Sequence, residues 1–376
     1  MKTLKLLAGA LTLGIGLCVG AVHAQTFRGS IYGVTQGPTG VALADMGKQI
    51  DAATNGKIKF EMFYGGSLLP PDGHMKGIGS GVVQLGQITA SYHQAEFPYT
   101  NVLNDLSFVA DDIFVLGFAY VEAKLFNRQL IDELKDKNVV FGTAFTIGIY
   151  NYICAGANYK TIDDFKGKKI RAISFPQTEF VKAIGAVPVS VVAPELYTGL
   201  QRGSLDCTGG SPEFLTAFFK LNEVAKSIYK IPLGSVANDG YYFHKGWWQQ
   251  RSADERRALV TKVFPGVTAR MMMNINSVID DAWKVSRDKG INIVEPEAAA
   301  MAKLKTFADK YIAEMPKLAK EKRNIDAEPL IKDFVARLAR WKTLMANVDR
   351  KNEAALTALL EREIFSKIDV NTYGMN

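Results

Sequence analysis

The chain has 376 residues, 48% of them hydrophobic, and a formal net charge of +7 at pH 7. This length is sufficient for two domains with substantial cores. The positive balance suits anionic ligands. Its basic runs are short, as at residues 166–169 and 320–323, and short runs of this kind are typical of solvated surface. We therefore expect no nucleic-acid partner.

The first 24 residues have the layout of a secretory signal peptide. Lys2 and Lys5 precede an apolar run over residues 6–19, and the segment ends in Val22-His23-Ala24. This pattern predicts cleavage after Ala24 and export to the periplasm. The apolar run is shorter than the roughly 20 residues that a spanning helix needs. The remaining 352 residues carry a charge of +5, because the leader contains two lysines and no acidic residue.

From residue 26 the chain alternates between strand and helix patterns. Alternating or apolar runs predict strands, and apolar residues at helical spacing predict helices. The elements expected here are strands at 26–33, 57–64 and 82–88, and helices at 41–55 and 73–80. This order predicts an α/β sheet with helical crossovers.

A second unit of the same kind begins near residue 138. We expect strands at 139–144, 150–154, 167–173 and 204–210, an extended segment at 187–191, a helical turn at 161–164, and helices at 177–185 and 194–203. Proline at the start and glycine at the end favour the last helix.

The chain becomes mainly helical after residue 251. Ser252 and Glu255 have the spacing of a capping box. Pro265-Gly266 should break or kink the following run, and an apolar stripe predicts a helix over 267–289. A short strand at 291–294, a helix from Pro296 and two helices within 327–365 complete the chain. The sequence therefore predicts two α/β lobes and a helical C-terminus.

Motifs for catalysis are missing from the sequence. There is no nucleophile elbow, and His74, His93 and His244 do not pair at metal-ligand spacing with another His or Cys. The acidic pairs 111–112 and 163–164 stand where turns and helix caps are expected. We expect binding rather than enzymatic turnover, with no cofactor and no metal.

Two cysteines, Cys154 and Cys207, remain after removal of the leader. In an oxidising compartment an even number of cysteines is compatible with a disulfide. Two buried free thiols fit the sequence equally well.

Residues 167–203 carry the most informative pattern of the chain. It reads Gly-Lys-Lys-Ile-Arg-Ala at 167–172, Ala-Ile-Gly-Ala-Val-Pro-Val at 183–189, and Pro-Glu-Leu-Tyr-Thr-Gly-Leu-Gln-Arg-Gly at 194–203. This pattern resembles the DctP-like solute receptors of TRAP (tripartite ATP-independent periplasmic) transporters. Residues 54–63, 97–108 and 247–257 add to the resemblance, which covers about residues 26–290.

The resemblance implies a two-lobed periplasmic solute-binding protein fold of the α/β class, with a long lobe-spanning helix. It implies a first lobe of residues 25–147 and 236–275. The second lobe would hold residues 148–235 and 276–376, including the C-terminal helices. The apolar stripe of 267–289 suits the bridging helix.

Arg171 matches the arginine of the family's Lys-Ile-Arg motif. The resemblance implies that this guanidinium binds the carboxylate of the ligand. Its planar fork of donors can form two parallel charge-assisted hydrogen bonds with a planar carboxylate.

Two positions depart from the family pattern. Tyr150 stands where many members place a second arginine, and Gly210, followed by Ser211, stands where an asparagine is common. Both changes remove polar contacts for an anion, so we expect a monocarboxylate, with an apolar or aromatic body, rather than a C4-dicarboxylate. The candidate aromatic walls are Tyr92, Tyr150, Phe175, Phe214 and Trp247.

The partners implied by the resemblance are a small organic acid and the membrane permease subunits of a TRAP transporter, and we expect a monomer. Two alternatives stay open at this point. One is a secreted α/β enzyme acting on carboxylic acids, and the other is a receptor for a different transporter or a sensor.

Overall fold

The computed structural model of the chain describes residues 25–237 and 239–375. The leader and its cleavage site after Ala24 lie outside these residues. The described chain forms eleven strands: β1 (Gln25–Ser30), β2 (Ile58–Phe63), β3 (Leu85–Thr89), β4 (Val139–Phe145), β5 (Asn151–Cys154), β6 (Lys169–Arg171), β7 (Val187–Val189), β8 (Cys207–Gly210), β9 (Ser227–Tyr229), β10 (Asp239–His244) and β11 (Asn292–Val294).

The helices, with short 3₁₀ turns between them, are α1 (Pro38–Ala53), α2 (His74–Gly79), α3 (Pro98–Leu106), α4 (Ile113–Phe126), α5 (Arg128–Asp132), α6 (Phe175–Ala183), α7 (Leu196–Arg202), α8 (Lys245–Gln249), α9 (Ala253–Ala258), α10 (Phe264–Asp288), α11 (Ala298–Arg323), α12 (Glu328–Met345) and α13 (Glu353–Glu363). Among the described residues, no helix is both long and apolar enough to cross a membrane.

The strands form two separate sheets. The first sheet has the order β2-β1-β3-β10-β4, and the second has the order β11-β9-β5-β8-β6-β7. Parallel pairs β1–β2 and β6–β7 are each joined through a helix, as right-handed crossover units require, whereas β10 and β5 run antiparallel to their neighbours. The prediction of an α/β fold with two lobes is confirmed.

Two extended segments cross between the lobes side by side. One joins β4 to β5, and the other joins β9 to β10. The amide of Tyr150 donates to the carbonyl of Gly234 at 2.7 Å, and the amide of Leu233 donates back to the carbonyl of Tyr150 at 3.0 Å. Ser235 ties this pair to the first lobe through the carbonyl of Ser107, at 3.0 Å. Because both crossings are short and paired, they form a defined hinge.

The long helix α10 also spans the two lobes, as the resemblance implied. Its first half packs against α1 and β4, and its second half against the 3₁₀ turn at residues 212–215 of the second lobe. Pro265 does not break the helical run. It lies two residues after a π-helical turn at Leu259–Val263, which joins α9 to α10 in one continuous helical run.

The C-terminal helices lie beside helices of the first lobe. α12 packs on α4, where the ring of Trp341 meets Phe118 at 5.3 Å and its Nε1–H donates to Glu122 at 2.7 Å. α13 packs on α10. The strands fall on either side of the predicted lobe boundaries, and the boundaries themselves stay a prediction.

Local capping signals in the sequence are confirmed by the structure. Ser252 and Glu255 form both hydrogen bonds of a capping box at the start of α9. Asp112 caps α4 by accepting from the amides of Phe114 and Val115, and Asp164 closes a second capping box with Thr161. These carboxylates are therefore occupied by helix termini.

Cys154 and Cys207 form a disulfide. They are direct neighbours across the antiparallel pair β5–β8. The bond links two central strands of the second sheet, and it answers the question that the sequence left open.

Candidate functional site

The candidate site is a cavity between the two sheets, next to the hinge. Several of its residues stand at or just after the carboxyl ends of β1, β3, β4 and β6, where open α/β sheets bind their ligands. The cavity holds about 470 Å³ of space, including its mouth. Its lining consists of Tyr32, Gly33, Thr39, Gln87, Thr89, Tyr92, Phe145, Ile147, Tyr150, Arg171, Ile173, Ala193, Phe214, Phe218, Phe219 and Val236.

Arg171 is the one charged residue among the described residues that line the cavity. It is the last residue of β6, where parallel pairing with Val189 and Thr208 fixes its backbone. The side chain is 1% exposed. Its Nε–H donates to the carbonyl of Val191 at 3.2 Å, and an Nη–H donates to the carbonyl of Gly209 at 3.4 Å.

Both of these contacts are with neutral carbonyl oxygens, so they orient the guanidinium without neutralising its charge. Within the described part of the chain, no carboxylate lies at ion-pair distance from Arg171. A buried guanidinium has five N–H donors, and the two carbonyls use two of them. The arrangement leaves donors available for an anion in the cavity.

The wall around Arg171 on the second lobe is aromatic. The rings of Tyr150 and Phe214 meet edge to face at 5.7 Å, and Phe219 lies 4.9 Å from Phe214. A Cβ atom at residue 210 would lie 2.9 Å from the Phe214 ring. The two departures from the family pattern are therefore connected, because Phe214 occupies the space beside Gly210 and packs on Tyr150.

The first lobe supplies a neutral polar wall. The Tyr32 hydroxyl and the Thr89 hydroxyl are 2.8 Å apart, and Gln87 is 2% exposed beside them. Across the cleft, the amide of Ala193 donates to the Tyr92 hydroxyl at 3.0 Å. This last bond joins the two lobes at the edge of the cavity.

The residues predicted from the sequence fall into two groups. Tyr92, Tyr150, Arg171 and Phe214 line the cavity together. The other four do not line it. Trp247 packs in the core of the first lobe, between the rings of Phe27, Phe60 and Phe243. Phe175 begins α6 at a neighbouring opening, and Gly210 and Ser211 are buried next to Phe214. A ligand contact by any of the eight stays a prediction.

Sequence reasoning missed the first-lobe wall, namely Tyr32, Thr39, Gln87 and Thr89, as well as Phe145, Phe218 and Phe219. A usable signal existed for Tyr32, Thr89 and Phe145, since each stands at or near the carboxyl end of a predicted strand. The other residues reach the cavity only through the packing of one lobe on the other.

The structure describes three histidines, His74, His93 and His244. His74 is buried and bonds to Ser30 and to the carbonyl of Pro70, and His244 caps α8 by accepting from the Trp247 amide. Burial lowers the pKa of His74 and of His93, which favours their neutral forms. Over residues 25–237 and 239–375, no cluster of three potential metal ligands occurs.

A buried carboxyl group lies at the hinge just outside the cavity. Glu213 is fully buried, and its Oε1 accepts from the amide of Gly148 at 2.7 Å. Burial raises the pKa of this carboxyl to about 7. The following residue is Phe214, so Glu213 connects the crossing segment to the aromatic wall.

The two lobes, the paired hinge and the enclosed cleft define a two-lobed solute-binding protein. The family model of bacterial extracellular solute-binding proteins, family 7 (DctP), matches residues 32–318. The chain therefore belongs to the DctP family of TRAP solute receptors, which confirms the resemblance seen in the sequence.

Individual relatives are distant. The C4-dicarboxylate-binding periplasmic protein DctP of Rhodobacter capsulatus is 27% identical over 69% of this chain and 77% of its own length. A protein of Salmonella typhimurium is 26% identical over 54% of this chain, and that match spans 62% of the relative. A crystal structure of a TRAP solute-binding protein from Rhodoferax ferrireducens, in complex with copurified benzoate, has the same fold. The two structures superpose with a TM-score of 0.75 and a sequence identity of 17%. The superposition covers 85% of this chain and 99% of that chain.

Proposed function

We propose that this protein is the periplasmic receptor of a TRAP transporter and that it binds a small monocarboxylate with an apolar or aromatic body. Arg171 would bind the carboxylate, and the rings of Tyr150 and Phe214 would contact the body of the ligand. The receptor would then present the closed complex to membrane permease subunits. The single observation that carries this proposal is the buried Arg171 guanidinium, oriented by two carbonyl oxygens at a cavity between two hinged lobes.

The charge of Arg171 supports an anionic ligand. A guanidinium cannot lose its proton in a protein, so burying it without an anion is costly. A carboxylate in the cavity would relieve this cost with charge-assisted hydrogen bonds. A neutral molecule of the same shape would leave the charge uncompensated and would bind much more weakly.

The remainder of the wall supports one carboxylate rather than two. Apart from Arg171, every described lining residue is neutral, and the wall next to Arg171 consists of Tyr150, Phe214 and Phe219. A second carboxylate would have to lose water against these rings without a cationic partner. The benzoate in the Rhodoferax ferrireducens structure is a ligand of the proposed class. The Rhodobacter capsulatus relative is named for C4-dicarboxylates, so the test includes both classes.

Calorimetric titration of the ligand-free protein tests the proposal. Benzoate and pyruvate represent monocarboxylates, succinate and malate represent C4-dicarboxylates, and benzamide is the neutral analogue of benzoate. We expect benzoate to bind at least about tenfold more tightly than succinate or malate, and benzamide not to bind. Tighter binding of succinate would refute the monocarboxylate assignment, and conversion of a bound acid into a product would support an enzyme instead.

Substitution of Arg171 tests the residue itself. Arg171→Lys keeps a positive charge but loses the planar fork, so affinity for the bound acid should fall at least about a hundredfold, the equivalent of roughly 3 kcal/mol. Arg202, exposed at the end of α7 in the same lobe, provides the matched control Arg202→Lys, which should bind like the wild type. Equal affinities of the Arg171→Lys variant and the wild type would remove Arg171 from the site.

A further inference from the structure

The helix α11 makes a second connection between the lobes, in the direction opposite to α10. At its start, Glu297 accepts from the amide of Ile162 at 3.0 Å and from the hydroxyl of Tyr229 at 2.5 Å, both in the second lobe. Just past its end, the carbonyl of Asp326 accepts from the side chain of Gln129, in α5 of the first lobe, at 2.8 Å. The helix is therefore fixed to one lobe at each end and must accommodate any movement between them.

The first half of α11 packs with the second lobe. The ring of Phe307 lies 5.3 Å from Phe180, and that of Tyr311 lies 6.1 Å from Phe175, both on α6. Phe108 of the first lobe reaches into the same cluster, 5.8 Å from Phe307. Most of these ring contacts join α11 to α6, so this half of the helix should move with the second lobe.

The second half of α11 is fixed to the first lobe by an ion pair. Arg323 lies 2.7 Å from the carboxylate of Asp105 in α3, and Asp105 is 1% exposed. The same carboxylate oxygen accepts from the Tyr311 hydroxyl at 3.1 Å. Asp105 thus holds a partner from each half of α11.

Pro316 lies between these two partners, inside the helix. It has no N–H to donate to the preceding turn, and its ring pushes against that turn, so a helix bends most easily at such a position. The two halves of α11 can therefore change their angle at Pro316 without breaking further backbone hydrogen bonds.

The same region borders the way into the ligand cavity. A second opening lies between residues 91–98 of the first lobe, residues 172–178 of the second and the second half of α11. Ile173 lines both this opening and the inner cavity. Contacts made by α11 here can therefore control access to the bound ligand.

We infer that α11 is a strap that bends at Pro316, and that the hydrogen bond from Tyr311 to Asp105 is a latch made only when the cleft closes. The ion pair from Arg323 to Asp105 is the fixed end of the strap, and Tyr311 moves with the second lobe. Tyr311 is a positioning residue: it does not line the ligand cavity but stabilises the closed state in which the ligand is held. This inference rests on the proposed function, because it assumes that the cavity is the ligand site.

The latch has a kinetic signature that a purely structural contact lacks. When a receptor is mainly open without ligand, its apparent affinity scales with the population of the closed state. Loss of a hydrogen bond to a charged acceptor should lower that population about tenfold. Tyr311→Phe should therefore release benzoate about tenfold faster, with an association rate changed less than twofold. The melting temperature of the ligand-free protein should stay the same, because the open state lacks the bond.

Stopped-flow displacement of benzoate measures these rates. The matched control is Asp309→Asn, which removes an exposed ion pair with Lys305 on the same helix and should change neither rate. Asp105→Asn weakens both the ion pair with Arg323 and the hydrogen bond from Tyr311, and it should accelerate release at least as much as Tyr311→Phe. Unchanged release from both Tyr311→Phe and Asp105→Asn would overturn the latch, and so would a lower melting temperature with unchanged release.

A second measurement does not depend on the choice of ligand. Spin labels on cysteines introduced at the exposed residues Lys59 and Lys182, one in each lobe, report the separation of the lobes by pulsed electron resonance. Tyr311→Phe should reduce the fraction of molecules at the shorter, closed distance, with and without benzoate. Equal fractions in the wild type and the variant would overturn the inference. If benzoate fails to bind the wild type while the label fractions still differ, the proposed ligand class fails and the strap stands.

Discussion

Glu213 should make the stability of this protein depend on pH in a direction opposite to that of ordinary carboxylates. Its carboxyl group is fully buried at the hinge, and one oxygen accepts from the amide of Gly148. A Cβ atom at residue 148 would lie 2.7 Å from the other oxygen, which shows how closely the crossing segment packs on Glu213. The perturbation that removes the charge and keeps the shape is Glu213→Gln, because the amide oxygen can still accept from Gly148.

The magnitude follows from the two pKa values of the carboxyl group. Burial raises the pKa of Glu213 from 4.5 to about 7, so the folded protein holds a proton over a pH range in which the unfolded chain has lost it. The protonated Glu213 side chain therefore contributes fully to the free energy of unfolding below about pH 4.5. This contribution declines as the pH rises and is lost above about pH 7. A difference of this size corresponds to about 3 kcal/mol, which we treat as an upper limit.

Urea unfolding of the wild type and of Glu213→Gln at pH 5 and pH 8, at constant ionic strength, measures the effect. Near pH 5 the two proteins should differ little. At pH 8 the variant should be more stable than the wild type by up to about 3 kcal/mol, because only the wild type must bury a charge or take up a proton. Comparison at each pH cancels the titration of all other groups. A difference between the two proteins that stays constant from pH 5 to pH 8 would refute the reasoning.

Two further predictions concern covalent and steric features of the fold. Cys154 and Cys207 are separated by 53 residues, so reduction of their disulfide should lower the free energy of unfolding by about 4 kcal/mol, the loop-closure entropy of a loop of this length. Urea unfolding with and without reductant measures this loss. An unchanged urea midpoint would contradict this. Gly234→Ala should destabilise the hinge by about 2–4 kcal/mol in thermal unfolding, because residue 234 has a φ of +70° and a Cβ there would lie 2.3 Å from the backbone of Phe108. The control is Gly167→Ala, at a φ of +73° with no atom within 4 Å of the new Cβ, which should lower the free energy of unfolding by only about 1 kcal/mol. Equal losses of stability at both sites would rule out a clash between residue 234 and Phe108.

Predictions from local sequence signals were correct wherever neighbouring residues decide the structure. The capping box at Ser252–Glu255 and the helix caps at Asp112 and Asp164 formed as expected. Most predicted strands and helices also formed, with ends shifted by a few residues. Side-chain capping and hydrophobic periodicity depend on residues a few positions apart, so both can be predicted from the sequence without the tertiary structure. Pro265 was an exception, because the helical run continues through it after the π-helical turn at Leu259–Val263.

The family resemblance located one wall of the cavity and not the other. The motif around Arg171 and the departures at Tyr150 and Gly210 all belong to the second lobe. The wall from Tyr32 to Thr89 belongs to the first lobe, more than 60 residues before Tyr150 in the sequence, and no motif connects the two. Trp247 was expected to supply an aromatic wall of the site, and its ring packs in the core of the first lobe against Phe60 and Phe243.

Local patterns were enough to predict the alternation of strands and helices, the helix caps and the arginine at the end of β6. The folded chain was needed to show that Cys154 faces Cys207 across two strands, that Phe214 fills the space beside Gly210, and that α11 returns to the first lobe. The two sets of features differ in the range of the interactions that produce them. Backbone geometry and capping are set by adjacent residues, whereas a binding cavity and a disulfide depend on strand pairing and lobe packing between segments far apart in the chain.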